Sequence, residues 1–214
     1  MGWFKRKIHP EFHNAYAETF KYNSTPLETT RFVVFDTETT GLNTKTDKIL
    51  SIGCVAITDG IIDVADSFER YLIQSQFNVD TVKIHGILKS GTIIKIEQRE
   101  AIIQFLDYIK NAVIVAHHAA FDVAMINQAL KQMDLPKLKN KVIDTGQLYK
   151  KTKYVKNQKH YSLDTLCNTF NIVMHDRHTA SGDAYLTALL FLKLSALLKA
   201  KKNRALKLRD FLNY

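Results

Sequence analysis

Two long apolar runs, Lys48 to Thr58 and Ile61 to Ile73, are separated only by Asp59-Gly60, and no other feature of the 214-residue chain narrows its fold as far. An Asp-Gly pair supplies the positive φ angles that a two-residue hairpin turn demands, so the runs read as adjacent antiparallel strands. A third β-branched and aromatic run, Arg31 to Asp36, precedes them and ends in the turn-like Thr39-Thr40-Gly41. The period then changes. Glu97 to Lys110 places Ile102, Ile103, Phe105, Leu106 and Ile109 on one helical stripe, Ala112 to Ala116 is a short buried strand, and Phe121 to Met133 is helical again. Val142-Ile143-Asp144 is a brief strand, and Ser162 to Phe170 and Thr179 to Ala200 are helices that Ser162 and Thr179 suit as N-caps. The expected class is α/β: a mixed five-stranded sheet flanked by helices. Residues 1–30 read as an N-terminal extension closed by Ser24-Thr25-Pro26, residues 31–200 as the domain, and 201–214 as a short basic tail.

Composition bounds the function. With 46% hydrophobic and 24% charged residues the chain suits one soluble core, and a net charge of +9 favours an acidic partner such as nucleic acid or an anionic membrane surface. The most apolar stretch, Leu186 to Leu198, is interrupted by Lys193 and Ser195 and too short to cross a bilayer, so it is expected as a core helix with no membrane role. No apolar run follows the charged N-terminus, and Arg6 breaks the myristoylation pattern, so a cytoplasmic location is expected. Cys54 and Cys167 read as buried free thiols, not as a disulfide or a zinc cluster. Residues 137–160 hold eight lysines against the single acid Asp144, with Tyr149 and Tyr154 interleaved and Tyr161 following. This stretch suits a strand-guiding surface, the lysines meeting phosphates and the tyrosines stacking on bases, and equally a solvated loop.

Three short segments carry chemistry. In Asp36-Thr37-Glu38 two carboxylates sit two residues apart at a strand end, so the period of two sends both to one side, where they suit a hard cation such as Mg2+. Alone, such a pair is more often a solvated strand end or turn. Asp122 falls in the first turn of a helix that follows a buried strand, a place where site residues of α/β sheets collect and where an acid also complements the helix dipole. His178 precedes the last long helix and Asp183 lies in its opening turns; five residues is not a same-face spacing, so the histidine must fold over from the loop to meet the carboxylate. A histidine titrates near neutrality and suits a proton acceptor for water.

Together, DTETTGL at Asp36 to Leu42, AHHAAFD at Ala116 to Asp122 and RHTASGDA at Arg177 to Ala184 resemble, in order, the three motifs of DnaQ-like 3′→5′ exonucleases of the DEDDh type, such as the proofreading subunit of bacterial replicases and RNase T. The resemblance runs from about Arg31 to Ala200 and implies an RNase H-like fold. It implies that Asp36, Glu38, Asp122 and Asp183 hold two divalent ions, Mg2+ or Mn2+, with His178 as general base, and that nucleoside 5′-monophosphates are released from a single-stranded or frayed DNA 3′ end. RNA 3′-end trimming is the alternative, and a nucleic-acid-binding module without catalysis a further one. The resemblance also implies that Thr39, Thr40, Leu42, His85 and Phe121 border the substrate; turn chemistry and core packing are the competing readings. Asp144 resembles a family aspartate outside the metal site. The chain departs from many relatives in having His117-His118 where they have His-Asn. Its tail lacks anything resembling a clamp-binding or long polymerase-binding segment, so a stand-alone or differently recruited nuclease is expected, with a polymerase or repair partner and the oligomeric state left open. Trp3, Phe4 and Phe12 are expected to dock on the body, with a partner as the alternative.

Overall fold

The alternation along β1 (Phe32–Thr39) decides how the molecule is layered: Val33 and Phe35 enter one buried cluster, and Phe32 and Val34 enter another on the opposite face. A strand buried on both sides must lie at the centre of a covered sheet. The computed structural model describes residues 8–21, 26–75, 79–88, 91–152, 154 and 161–212. Trp3, Phe4, Lys153, Lys156 and Lys159 lie outside them.

β1 is flanked by β2 (Ile49–Thr58), antiparallel, and β5 (Val113–Ala116), parallel. β2 pairs with β3 (Ile61–Leu72) across the Asp59-Gly60 turn, where both residues adopt positive φ, as the hairpin reading requires. β3 carries β4 (Lys95–Ile96), and β5 carries β6 (Val142–Asp144), both parallel, giving the order β4-β3-β2-β1-β5-β6. The sheet therefore has six strands where the sequence predicts five. β4 is only two residues long, too short for any periodicity to register.

One face is covered by α1 (Glu11–Glu18), α3 (Gln98–Ile109) and α4 (Ala120–Gln132), which pack around Phe35, Phe105, Ile114 and Ile126. α2 (Val79–His85) leads toward β4. The other face is covered by α5 (Thr145–Lys150), α6 (Leu163–Thr169), α7 (Ala180–Lys202) and α8 (Leu208–Phe211). α7 is long and apolar enough to cross a membrane by length and composition, but half of its most apolar window is buried in this protein. It lies along β1 and β2 as the core helix expected from Leu186 to Leu198. Thr179 and Ser162 cap their helices through their side chains, as their positions suggest. Cys54 and Cys167 are buried and free.

The segments on either side of residues 31–200 also enter these layers. Tyr16 on α1 is buried, its hydroxyl donating to Asn140 Oδ1 at 2.6 Å and accepting from the Lys139 N–H, while Phe12 packs partly buried on the same cluster. Phe211 on α8 is buried against Phe32 and Phe191.

Candidate active site

Two helices aim their acids at the end of β1 because each acid lies on its helix's buried stripe. On α4 the stripe runs Asp122, Met125, Ile126, Ala129, Leu130; on α7 it includes Asp183, Thr187, Leu190, Leu194 and Leu198. A carboxylate on such a stripe faces the sheet, as its apolar successors do one or more turns further on.

The pleat of β1 sorts the acids by face. Asp36 and Glu38 follow Phe32 and Val34 toward α7, whereas Thr37 points the other way and meets α4. There Asp122 Oδ1 accepts from both the Thr37 N–H at 3.0 Å and the Thr37 hydroxyl at 2.6 Å. Thr37, which sequence reasoning passed over, is thus what ties Asp122 to the strand end. Its signal lay in the motif: a hydroxyl between two acids must face the opposite helix.

α7 reaches the sheet because β2 offers no side chain at the crossing. Gly53 is paired with Asp36, and a Cβ at Gly53 would lie 2.2 Å from the Ser181 backbone nitrogen. The first turn of α7 therefore rests directly on β2 beside Asp36, and the Ser181 hydroxyl donates to Glu69 on β3 at 2.5 Å. The preceding loop is equally tight. A Cβ at Gly182 would meet the Asp176 carbonyl oxygen at 2.0 Å, and Asp176 and His178 both adopt left-handed backbone angles.

Carboxylate oxygens of Asp36, Glu38 and Asp183 consequently lie within 4.8 Å of one another. Removal from water, and then the neighbouring acids Asp122 and Asp183, push Asp36 well above the ordinary carboxylate range; the same causes, with Asp183 ahead of Asp122, raise Glu38 to about 7. Burial raises Asp122 to about 7 against the opposing pull of its Thr37 hydrogen bonds. Asp183 Oδ1 is buried without a hydrogen-bond donor among the described residues. Like charges crowded this way, with one oxygen unmet, suit oxygen-seeking divalent cations, which compensate the charge and fill the open coordination.

Among the described residues, one cation of the chain itself pairs with the cluster. Arg177, quoted in the third motif without a role, pairs through Nη1 with Asp183 Oδ2 and donates from Nε to Asp164 Oδ1 at 2.6 Å. Nothing in the spacing of Asp164 and Arg177 announces this bond. His178, next in sequence, is exposed.

The remaining expected positions divide. Thr39 and Thr40 are buried; the Thr39 hydroxyl donates to the Gly41 carbonyl at 2.7 Å and that of Thr40 to Asp47 at 2.9 Å, so both shape the turn. Leu42 stands 86% exposed at its tip, the one apolar side chain of that turn free to meet a ligand. His85 is buried at the end of α2, its Nδ1 accepting from the Ile87 N–H and its Nε2 without a partner among the described residues. Phe121 is half-buried against the core. His117 lies between the Thr145 hydroxyl and the Tyr161 carbonyl, each at 2.8 Å. Burial and the neighbouring His118 lower it to about 4, so the neutral ring donates from Nε2 to the carbonyl and accepts at Nδ1. His118 has φ of 57°, a conformation in which both asparagine and histidine are enriched, which explains why either fits. Asp144 accepts from the Gln147 and Ala119 N–H groups, capping α5 and bracing the second motif.

A family model described as Exonuclease, of the RNase T type, matches residues 33–191. The PolC-type DNA polymerase III of Caldanaerobacter subterraneus subsp. tengcongensis is 36% identical over 169 residues, covering 76% of this chain and 11% of the polymerase. The chain thus spans about a tenth of the length of that relative. Among solved structures, Exonuclease X in complex with 5′ overhanging duplex DNA superposes with a TM-score of 0.60 at 23% identity, covering 81% of this chain and 94% of that one. A 3′-exonuclease recognising a histone mRNA stem-loop gives 0.68 at 12% identity, with 80% and 83% covered. These neighbours share the RNase H-like arrangement of sheet and helices. The chain belongs to the DnaQ-like exonuclease family of the DEDDh type, as its three ordered motifs implied.

Proposed function

We propose that the protein is a 3′→5′ exonuclease that releases nucleoside 5′-monophosphates from single-stranded or frayed DNA 3′ ends, in proofreading or repair and in the cytoplasm. The observation that carries the reading is the convergence of Asp36, Glu38 and Asp183 within 4.8 Å, with Asp122 bound beside them through Thr37. These four carboxylates would hold two divalent ions, Mg2+ or Mn2+, which when bound supply the positive charge that offsets the phosphodiester's developing negative charge. Asp36 and Glu38 are fixed by the strand, Asp183 by the contact of α7 with Gly53, and Asp122 by Thr37. His178, exposed on the loop that opens α7, would accept the attacking water's proton at a ring nitrogen and exchange it with solvent. Likeness to PolC-type DNA polymerases at 36% identity favours a DNA strand and a polymerase-linked role.

The test is a 5′-labelled single-stranded DNA and a matched RNA, incubated with Mg2+, Mn2+ or chelator. The expected result is a ladder shortening from the 3′ end, faster on DNA, absent with chelator, abolished in Asp183→Ala and slowed in His178→Ala by about 100-fold or more. Faster shortening of RNA would move the substrate class to RNA 3′ ends. Intact strands under every metal, despite binding, would leave a nucleic-acid-binding module.

A further inference from the structure

Asp183 has two oxygens in opposite situations. Oδ2 is engaged by Arg177, while Oδ1 is buried and meets no donor among the described residues. Arg177 is itself held, since its Nε donates to Asp164 Oδ1 at 2.6 Å, and Asp164 stands in the first turn of α6. One planar guanidinium therefore joins two carboxylates on two helices through two different nitrogens, with only 20% of its side chain exposed. A guanidinium keeps its charge at any working pH and holds its nitrogens in a fixed fork, so it sets an orientation that a flexible point charge would not.

We propose that Arg177, anchored by Asp164, is a positioning residue: it grips Asp183 Oδ2 so that Oδ1 is presented to the space bounded by Asp36 and Glu38 for a divalent cation. The inference rests on the metal-dependent reading above. It gives Asp164 a function at a distance, because among the described residues Asp164 makes no hydrogen bond or ion pair with the metal-holding carboxylates and reaches them through Arg177. It also ties the site to the loop chemistry, since Arg177 directly precedes His178, whose backbone is held in the left-handed region. An acid that must hold a cation with one oxygen gains when the other oxygen is fixed, because less rotational freedom is then lost on binding.

The experiment reads Mn2+ affinity by calorimetry on the full chain without nucleic acid, together with kcat and KM on single-stranded DNA, for Arg177→Gln, Arg177→Lys and Asp164→Asn. Arg177→Gln and Asp164→Asn are each expected to weaken Mn2+ binding by about tenfold or more and to lower kcat with KM little changed. The double variant should be no worse than either single one, because both remove one clamp. Arg177→Lys, which keeps the charge and loses the fork, should behave like Arg177→Gln. Asp164 is half-exposed, so its variant keeps the test valid if substitution at Arg177 disturbs folding. Unchanged or tighter Mn2+ binding in the variants would overturn the proposal, the tighter case making Arg177 a competitor of the metal. Full recovery by lysine would also overturn it, leaving charge without geometry. Mn2+ binding by the wild type with no strand cleavage would sink only the exonuclease reading; no Mn2+ binding by the wild type would sink both.

Discussion

Glu38 shows how a single residue links the chemistry of the site to the stability of the chain. Its carboxyl is raised from 4.5 to about 7 by burial and by Asp183 and Asp122, so the folded chain binds that proton more tightly than the unfolded one. Ionised Glu38 therefore works against folding, and this penalty is fully present above about pH 7 and vanishes as pH falls into the ordinary carboxylate range. With chelator present, Glu38→Gln is expected to melt above the wild type near pH 8, by about 2–5 °C, with the gap closing as pH falls toward about 4.5. His117, lowered to about 4, also shifts stability with pH, in the opposite direction, but it is common to both proteins and cancels in the comparison. Excess Mg2+ should reverse the order at pH 8 by stabilising the wild type more than the variant. Melting curves of the two proteins across pH, with and without metal, check this; a gap that does not change with pH would mean that Glu38 does not share the crowded charge of the cluster. The four carboxylates of the site could be located from their motifs, because the first motif names Asp36 and Glu38 and the other two name one acid each. Thr37 was readable there too, as the hydroxyl between two acids, but the Arg177 and Asp164 pair was not, because its role depends on how α6 and α7 pack against each other.

At the scale of elements, Gly53 decides where α7 crosses the sheet, and with it where Asp183 stands. Alanine there would put a methyl 2.2 Å from the Ser181 nitrogen, so the first turn of α7 must lift from β2. Overpacking of this kind costs about 1–3 kcal/mol. Gly60 provides a control: its φ of +72° strains alanine, but no atom lies within 4 Å of the added Cβ, and the hairpin is away from the acids. Gly53→Ala is expected to lose at least tenfold in turnover under conditions where it remains folded, whereas Gly60→Ala loses stability with turnover intact. Denaturant titrations paired with rate measurements separate the two, and equal losses of turnover would show that α7 is not seated through Gly53. The strands and long helices were legible in the sequence because each repeats its period over many residues. β4, with two residues, and α8, with four, offer no period at all. α1 did carry a signal, Phe12, Tyr16 and Phe20 at spacings of four, but the charged and polar residues between them hid it.

The whole molecule sets an acidic centre in a chain of net charge +9; on the proposed function this would attract a polyanion from a distance and call for cations before a phosphate could approach the acids. The two functions of the sheet, holding the site and holding the fold, lie at its opposite ends. The acids gather where β1 ends and α4 begins, whereas α1 is fastened near the starts of β5 and β6 by Tyr16, Lys139 and Asn140. Asn140 completes that junction by donating to the Lys110 and Ala112 carbonyls at 2.8 Å each. Tyr16→Phe keeps the ring against Phe20 but leaves Asn140 Oδ1 and the Lys139 N–H without their partner, a loss of about 1–3 kcal/mol where the groups are buried. Because the junction and the acids do not share an element end, the variant should melt several degrees lower while its kcat and Mn2+ affinity match the wild type at a temperature where both are folded. Calorimetric melting and single-strand turnover on the same preparation check this. A fall in kcat at full occupancy of the folded state would mean that the N-terminal helix reaches the site through β5, and that the residues before Arg31 take part in catalysis as well as in holding the fold.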